Sequence, residues 1–305
     1  MSKILLVLDS PFGDLTVEEN LAAESGWEVL GWSGDPEELA LADAVLHVRC
    51  RVDAALLDLM PRCRVVGRFG TGLDSVDLDE CAARDIRVVN VSDYCTPELS
   101  SHTIALALLL DRRLGDAAAR HPDTDWSTFA SEHRIVGRTS ALVIGAGVIG
   151  RAVGRALLGL QMSVSYVSEH GDTTLADAGA RRVGLHDGLA ESEIVFIHRA
   201  QELGGPPLVT GDFLASMTQG ALLVNTARLS LLDEEAVALA VEAGSLGGVA
   251  LDGHLTAASP LRRLLGRDDF ICTPHIGWYS ERSALLLRTQ ATAQTIGWAD
   301  DSVSI

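Results

Sequence analysis

Short apolar runs alternate along this chain with stretches whose apolar positions recur at helical spacing, the rhythm of β-α-β units feeding a parallel sheet. The runs Ile4–Leu8, Glu28–Trp32, Ala44–His47, Val65–Gly67 and Val88–Val89 predict a first set of strands with helices between them. Residues 97–120 then read as one long apolar helix, centred on Ile104–Leu110 and ending in an arginine- and alanine-rich stretch. The segment from His121 to Glu132 is polar, contains Pro122 and Trp126, and reads as an extended connection. From about Arg138 the rhythm restarts, with strands predicted at Ala141–Ile144, Ser163–Val167, Ile194–Ile197, Ala221–Asn225, Gly248–Leu251 and Phe270–Thr273. A last helix, Ser280–Thr295, is expected to return to the first unit. The pattern predicts an α/β protein of two doubly wound parallel sheets, one from residues 1–94 with 280–305 and one from 95–279. No short-period repeat or low-complexity tail interrupts it.

One junction between a strand and a helix carries chemistry. Gly145, Gly147 and Gly150 close the run 140–144 and open an apolar stretch with helical spacing. In a dinucleotide site the first such glycine permits the tight turn, the second lets backbone approach a pyrophosphate, and the third lets helix and strand pack closely. The helix N-terminus, here starting at Val148 and Ile149, offers free N–H groups to phosphate. A purely structural turn is the alternative.

Composition narrows the setting. With 305 residues and 47% hydrophobic positions the chain can bury two moderate cores. Its 42 acidic against 24 basic residues give a formal charge of −18, which argues against nucleic acid or an anionic membrane as partner. The apolar run after Met1 is short and closed by Asp9, so it reads as a buried strand and not a leader, and no run is long enough to span a bilayer. Cys50, Cys63, Cys81, Cys95 and Cys272 lack CxxC spacing, which argues against zinc and disulfides and fits the cytoplasm.

Six separated strings then carry a resemblance: residues 67–77 (GRFGTGLDSVD), residues 89–98 (VNVSDYCTPE), the glycine turn, Val224-Asn-Thr-Ala-Arg228, Ala250-Leu-Asp252, and Thr273-Pro-His-Ile276. In this order, over nearly the whole chain, they resemble the D-isomer-specific 2-hydroxyacid dehydrogenases. The Asp93-Tyr-Cys-Thr96 string and Trp278-Tyr-Ser-Glu281 are similar to the branch that includes the C-terminal-binding-protein corepressors. The resemblance implies a flavodoxin-like substrate domain (1–94 with 280–305), a dinucleotide domain (95–279), a site in the cleft between them, and a homodimer formed through the arm around 100–140. It also implies hydride transfer between a nicotinamide and a small 2-oxo or 2-hydroxy acid. Arg228 would grip the carboxylate and carbonyl oxygens, and His275, with an ordinary pKa near 6.5, would give the proton. The backbone N–H groups of Thr71 and Gly72 would receive the substrate carboxylate. Asp252 would hold the nicotinamide carboxamide, while Thr96, His198, Thr226 and Ala227 would line the cofactor site. Trp278 stands where the branch carries an aromatic pocket wall, with an ordinary core tryptophan as the other reading.

Two departures qualify this picture. The family's glutamate, a few residues after the Ala-Leu-Asp aspartate, pairs with the histidine and raises its pKa. Here residues 253–260 contain no carboxylate, and Ala257 stands at that place. Slower or acid-shifted reduction is expected, with Ala257→Glu restoring it, and His254 or Glu281 are possible substitutes. The alternatives are a catalytically degenerate sensor or scaffold that still binds the dinucleotide, and an enzyme of altered chemistry in a specialised pathway. The second departure is at the ribose: Ser168 replaces the aspartate that selects NAD, and no arginine follows it to attract a 2′-phosphate, although Glu169 could take the ribose. NAD is favoured and NADP left open.

Overall fold

The structure is a computed structural model and describes residues 2–119, 125, 127, 134–169, 173–201 and 204–301. The expected connection 121–132 lies outside them except for 125 and 127. Two compact units divide the chain: Met1–Tyr94 with Glu202–Gly205 and Ser280–Ile305, and Cys95–Gln201 with Pro206–Tyr279.

The first unit is built from β1 (Lys3–Val7), α1 (Thr16–Glu24), β2 (Trp27–Gly31), α2 (Pro36–Leu39), β3 (Ala44–His47), α3 (Ala54–Leu57), β4 (Val65–Arg68), α4 (Leu78–Ala83) and β5 (Arg87–Asn90), closed by the C-terminal helix Glu281–Asp301. All its strand pairings are parallel, in the order β2-β1-β3-β4-β5, a doubly wound sheet of flavodoxin-like order. Its helices begin where the sequence supplies caps: the carboxylates of Asp35, Asp53 and Asp77 accept first-turn N–H groups of α2, α3 and α4. The C-terminal helix covers β3, β4 and β5 so closely that a Cβ on Gly67 would sit 1.9 Å from Thr295 Oγ1.

The second unit contains α5 (Thr96–Asp111), α6 (Leu114–Ala119), β6 (Ser140–Ile144), α7 (Val148–Gly159), β7 (Ser163–Val167), α8 (Thr174–Asp177), β8 (Arg181–Arg182), α9 (Leu185–Glu191), β9 (Ile194–Ile197), α10 (Gly211–Ala215), β10 (Ala221–Asn225), α11 (Glu234–Glu242), β11 (Leu246–Asp252) and β12 (Phe270–Thr273). The strand order is β12-β11-β10-β9-β6-β7-β8, all parallel. The chain runs outward from β6 to β8, then returns to the other side of β6. That reversal opens a crevice at the carboxyl ends of β6 and β9, where ligands bind in such sheets. β9 and β10 are buried along their whole length, as strands covered by helices on both faces must be. Leu142, Val195 and Leu223 face one core with Val237, while Val143, Phe196 and Val224 face the other with Leu106 and Val153.

Three expectations about elements need correction. The helix predicted over 97–120 is two helices, because Arg113 takes a left-handed φ of 47° between α5 and α6. The C-terminal helix runs from Glu281 to Asp301, beyond the expected Thr295. The edge strand β8 was not expected: its Arg181–Arg182 pair has no apolar signal, and it exists because it adds to the edge of β7.

Candidate active site

The glycine turn between β6 and α7 divides its labour among three residues. Gly145 has φ 99°, and a Cβ there would lie 2.5 Å from His198 O; one on Gly150 would lie 1.8 Å from Gly145 O. Neither position admits a side chain. Gly147 caps α7 without any side-chain hydrogen bond to the helix, and a Cβ there would meet nothing within 4 Å. An approachable backbone stretch therefore leads onto a helix N-terminus with no acidic residue in its first turn. Val148 is exposed and Ile149 packs against the core. The geometry fits a dinucleotide pyrophosphate.

At the tip of β7 two arginines come in from distant points of the chain, one to Ser168, which replaces the aspartate, and one to its neighbour Glu169. Arg182 on β8 donates from Nη2 to Ser168 O at 2.8 Å. Arg199, just after β9, pairs through Nη2 with Glu169 Oε1 at 3.0 Å. Beside Arg199, His198 has a buried Nε2 with no hydrogen-bond partner among the described residues, and burial pushes its pKa down to about 4.

Arg228 is presented by a loop after β10 that buried Asn225 ties together. Asn225 Nδ2 donates to Arg228 O at 2.8 Å and its Oδ1 accepts from Ala227 N at 3.0 Å. Arg228 Nη1 donates to Ala227 O at 3.2 Å. Thr226 is buried, its hydroxyl 2.8 Å from that of Thr103 on α5, so this side chain ties the loop to a helix.

His275 follows β12 with a left-handed φ of 57°, strained for a residue with a side chain. Asp252, at the end of β11, holds it there: the buried carboxylate accepts from Ile276 N at 2.9 Å, Gly277 N at 2.8 Å and Thr273 Oγ1 at 2.6 Å. His102 Nε2 lies 3.0 Å from Thr273 Oγ1, a link between α5 and this loop that the sequence gave no sign of. His275 Nδ1 lies 3.4 Å from Asp252 O and 3.9 Å from its Oδ2, which leaves Nε2 as the outer ring nitrogen. Burial holds the His275 pKa below its ordinary value; Asp252 opposes this, and Arg228 and His254 reinforce it. Arg228 and His275, separated by β11 and β12 in sequence, are thus near enough to feel each other's charge.

The ring of His254 stands 6.1 Å from that of His275, centre to centre. Ala257 lies on the exposed turn closed by Ser259 N donating to Thr256 O. Trp278 is half-buried and meets the ring of exposed Tyr279 edge-on at 5.5 Å. Thr96 is in the first turn of α5. In the first unit, Thr71 Oγ1 donates to Val91 O at 2.8 Å and Gly72 follows in the same loop. Among the described residues no cluster of His, Cys, Asp or Glu could hold a metal, and no helix is long and apolar enough to cross a membrane.

Residues 104–277 match the profile described as the NAD binding domain of D-isomer specific 2-hydroxyacid dehydrogenase, more than half of the chain. The chain belongs to the D-isomer-specific 2-hydroxyacid dehydrogenase family. A D-3-phosphoglycerate dehydrogenase of Mycobacterium leprae is 29% identical over 274 residues, 87% of this chain and 52% of that protein. An (S)-sulfolactate dehydrogenase of Chromohalobacter salexigens is 32% identical over 246 residues, 78% of each. The chain thus spans about half the length of the phosphoglycerate dehydrogenases it matches. A D-lactate dehydrogenase of Aquifex aeolicus, solved with NAD and lactic acid, shares the fold at TM-score 0.89 and 22% identity, covering 99% of this chain and 97% of that one.

Proposed function

We propose that this member of the family is an oxidoreductase acting on a CH–OH group, moving a hydride between a nicotinamide dinucleotide and C2 of a small 2-hydroxy or 2-oxo acid. One observation carries the reading: Arg228 after β10 and His275 after β12 stand at the carboxyl ends of strands in one sheet, the sheet that also carries the glycine turn after β6. A bound dinucleotide would supply the hydride; the remaining work belongs to side chains. The Arg228 guanidinium would clamp the carboxylate and carbonyl oxygens of a 2-oxo acid and polarise the ketone. His275, protonated at Nε2, would give its proton to the developing alkoxide, while Nδ1 stays against Asp252 O. Asp252 would act by position, fixing the strained loop that aims the ring. In this reading residues 95–279 are the dinucleotide domain and residues 1–94 with 280–305 the substrate domain, with the Thr71 and Gly72 N–H groups receiving the acid.

The segment 253–260 supplies no carboxylate to His275, and the imidazole of His254 stands beside it instead. This favours an acid-shifted enzyme. NAD is the first cofactor to test, and the names of the relatives suggest substrates, the 2-oxo counterparts of lactate, sulfolactate and phosphoglycerate. Oxidation of NADH and NADPH should be followed with this panel from pH 5 to 8, with Arg228→Gln and His275→Asn as controls. Turnover lost in both variants is expected. Tight dinucleotide binding with no turnover on any acid would instead support the sensor or scaffold. We further propose a homodimer in the cytoplasm; the lack of CxxC spacing among the five cysteines supports a reducing compartment, and light scattering in solution tests the dimer.

A further inference from the structure

We infer that the ribose end of the dinucleotide site is built to take a 2′-phosphate, with Arg199 and Arg182 as its ligands, so that NADP(H) is bound at least as well as NAD(H). The inference rests on the dinucleotide reading and names the cofactor that reading leaves open.

Three observations converge on the tip of β7. Ser168 stands where an acidic residue would accept the ribose hydroxyls and repel a phosphate there. Arg182 comes to the same point because β8 adds in parallel to β7, with Tyr166 opposite Arg182, and its guanidinium already grips Ser168 O at 2.8 Å. Arg199 arrives from the other side: β9 and β7 flank β6, so the side chain spans the end of β6 to meet Glu169 at 3.0 Å. Its backbone is fixed at the turn, since a Cβ on Gly145 would lie 2.9 Å from Arg199 N.

Among the described residues, Glu169 is the one carboxylate paired with either arginine. Its pair with Arg199 is exposed on both sides, 48% for the arginine and 68% for the glutamate. Such a pair is screened and weak, whereas a guanidinium on a phosphate forms charge-assisted, forked bonds. Among the described residues these contacts set two guanidiniums against one carboxylate, in a protein whose formal charge is −18. An incoming 2′-phosphate can draw Arg199 from Glu169 and leave the carboxylate in water. NAD(H), lacking that group, gains nothing from either arginine.

Fluorescence titration of the purified protein with NADH and with NADPH, at low salt and with no substrate, tests this directly. NADPH should bind at least as tightly as NADH. Arg199→Ala and Arg182→Ala should each shift the affinity ratio toward NADH by about tenfold, the loss of one charge-assisted contact. Ser168→Asp should shift it the same way, and high salt should weaken NADPH more than NADH. Arg182 and Arg199 are exposed and Ser168 is half-buried, and thermal melting checks that each variant is folded. NADH binding tenfold tighter than NADPH in the wild-type protein, or a ratio unmoved by Arg199→Ala, would overturn the inference while leaving the dinucleotide site intact. Failure of both nucleotides to bind would remove the site itself.

Discussion

His275 combines a strained backbone with a proton that is held weakly. Its φ of 57° costs on the order of 1–3 kcal/mol unless the surroundings fix it, and the two N–H bonds from Ile276 and Gly277 to Asp252 do so. Because burial, Arg228 and His254 hold its pKa below 6.5, the donor form is populated only as pH falls below that value. Reduction of a 2-oxo acid should therefore speed up toward acid pH, and the His275 ring should titrate below 6.5 by NMR. His254→Phe, which takes away the neighbouring imidazole, should raise that pKa, and His254→Glu should raise it further and carry the rate profile toward neutral. The family resemblance places this rescue at Ala257; the ring contact adds residue 254 as a second position for it. A His275 pKa indifferent to both substitutions would mean that the neighbouring imidazole has no hold on it. Gly147→Ala offers a second check. Nothing lies within 4 Å of the added methyl, so melting temperature should stay put while dinucleotide affinity falls about tenfold through lost backbone approach.

Arg288 joins the C-terminal helix to α1 through a buried ion pair. Its Nη2 donates to Glu18 Oε2 at 2.6 Å and Nε to Oε1 at 2.9 Å; Glu18 is 0% and Arg288 8% exposed. Breaking a buried pair strands a charge, so Glu18→Ala should cost about 3–5 kcal/mol by urea unfolding, and Glu18→Leu with Arg288→Met should recover most of it. If the double substitution were as damaging as the single one, packing and not the stranded charge would be the cause. The pair joins residues 270 positions apart, and such links are what an element-by-element reading cannot see. Ile194–Ile197 and Ala221–Asn225 were legible because strands covered on both faces read as unbroken apolar runs. Arg181–Arg182 was not, since an exposed edge strand needs no apolar residues, and neither was the break at Arg113, where a left-handed φ alone ends α5. The glycine turn, Arg228 and His275 stood out as local strings. What escaped were partners that the fold brings in from distant points: Arg182 at Ser168, Arg199 at Glu169, and His102 at Thr273; His254 could be named as a substitute beside His275, but only the fold sets its ring there.

Acid response belongs to the whole molecule, where a formal charge of −18 and a few buried imidazoles pull in opposite directions. Lowering pH relieves the repulsion among carboxylates as they protonate, yet it also strains histidines that are folded away neutral. His47, at the end of β3, is 0% exposed, and burial followed by the nearby Arg68 pushes its pKa down to about 4. The Cys50 amide lies close to the ring, but neither ring nitrogen has a hydrogen bond of ordinary geometry among the described residues. The unfolded chain, with its histidine near 6.5, binds the extra proton first. Stability from this group is therefore complete above pH 6.5 and is lost as pH falls from there to about 4. At pH 5 the loss amounts to about 2 kcal/mol. His47→Leu removes the titration, gives up no well-formed hydrogen bond and keeps an apolar body in the core. Wild type and variant share every other charge, so their difference isolates this one group from the carboxylate background. Urea unfolding at pH 7.5 and pH 5 should show the variant gaining about 2 kcal/mol on the wild type between the two conditions. Parallel pH dependence in the two proteins would mean that water or a rearranged partner reaches the His47 ring once it is charged.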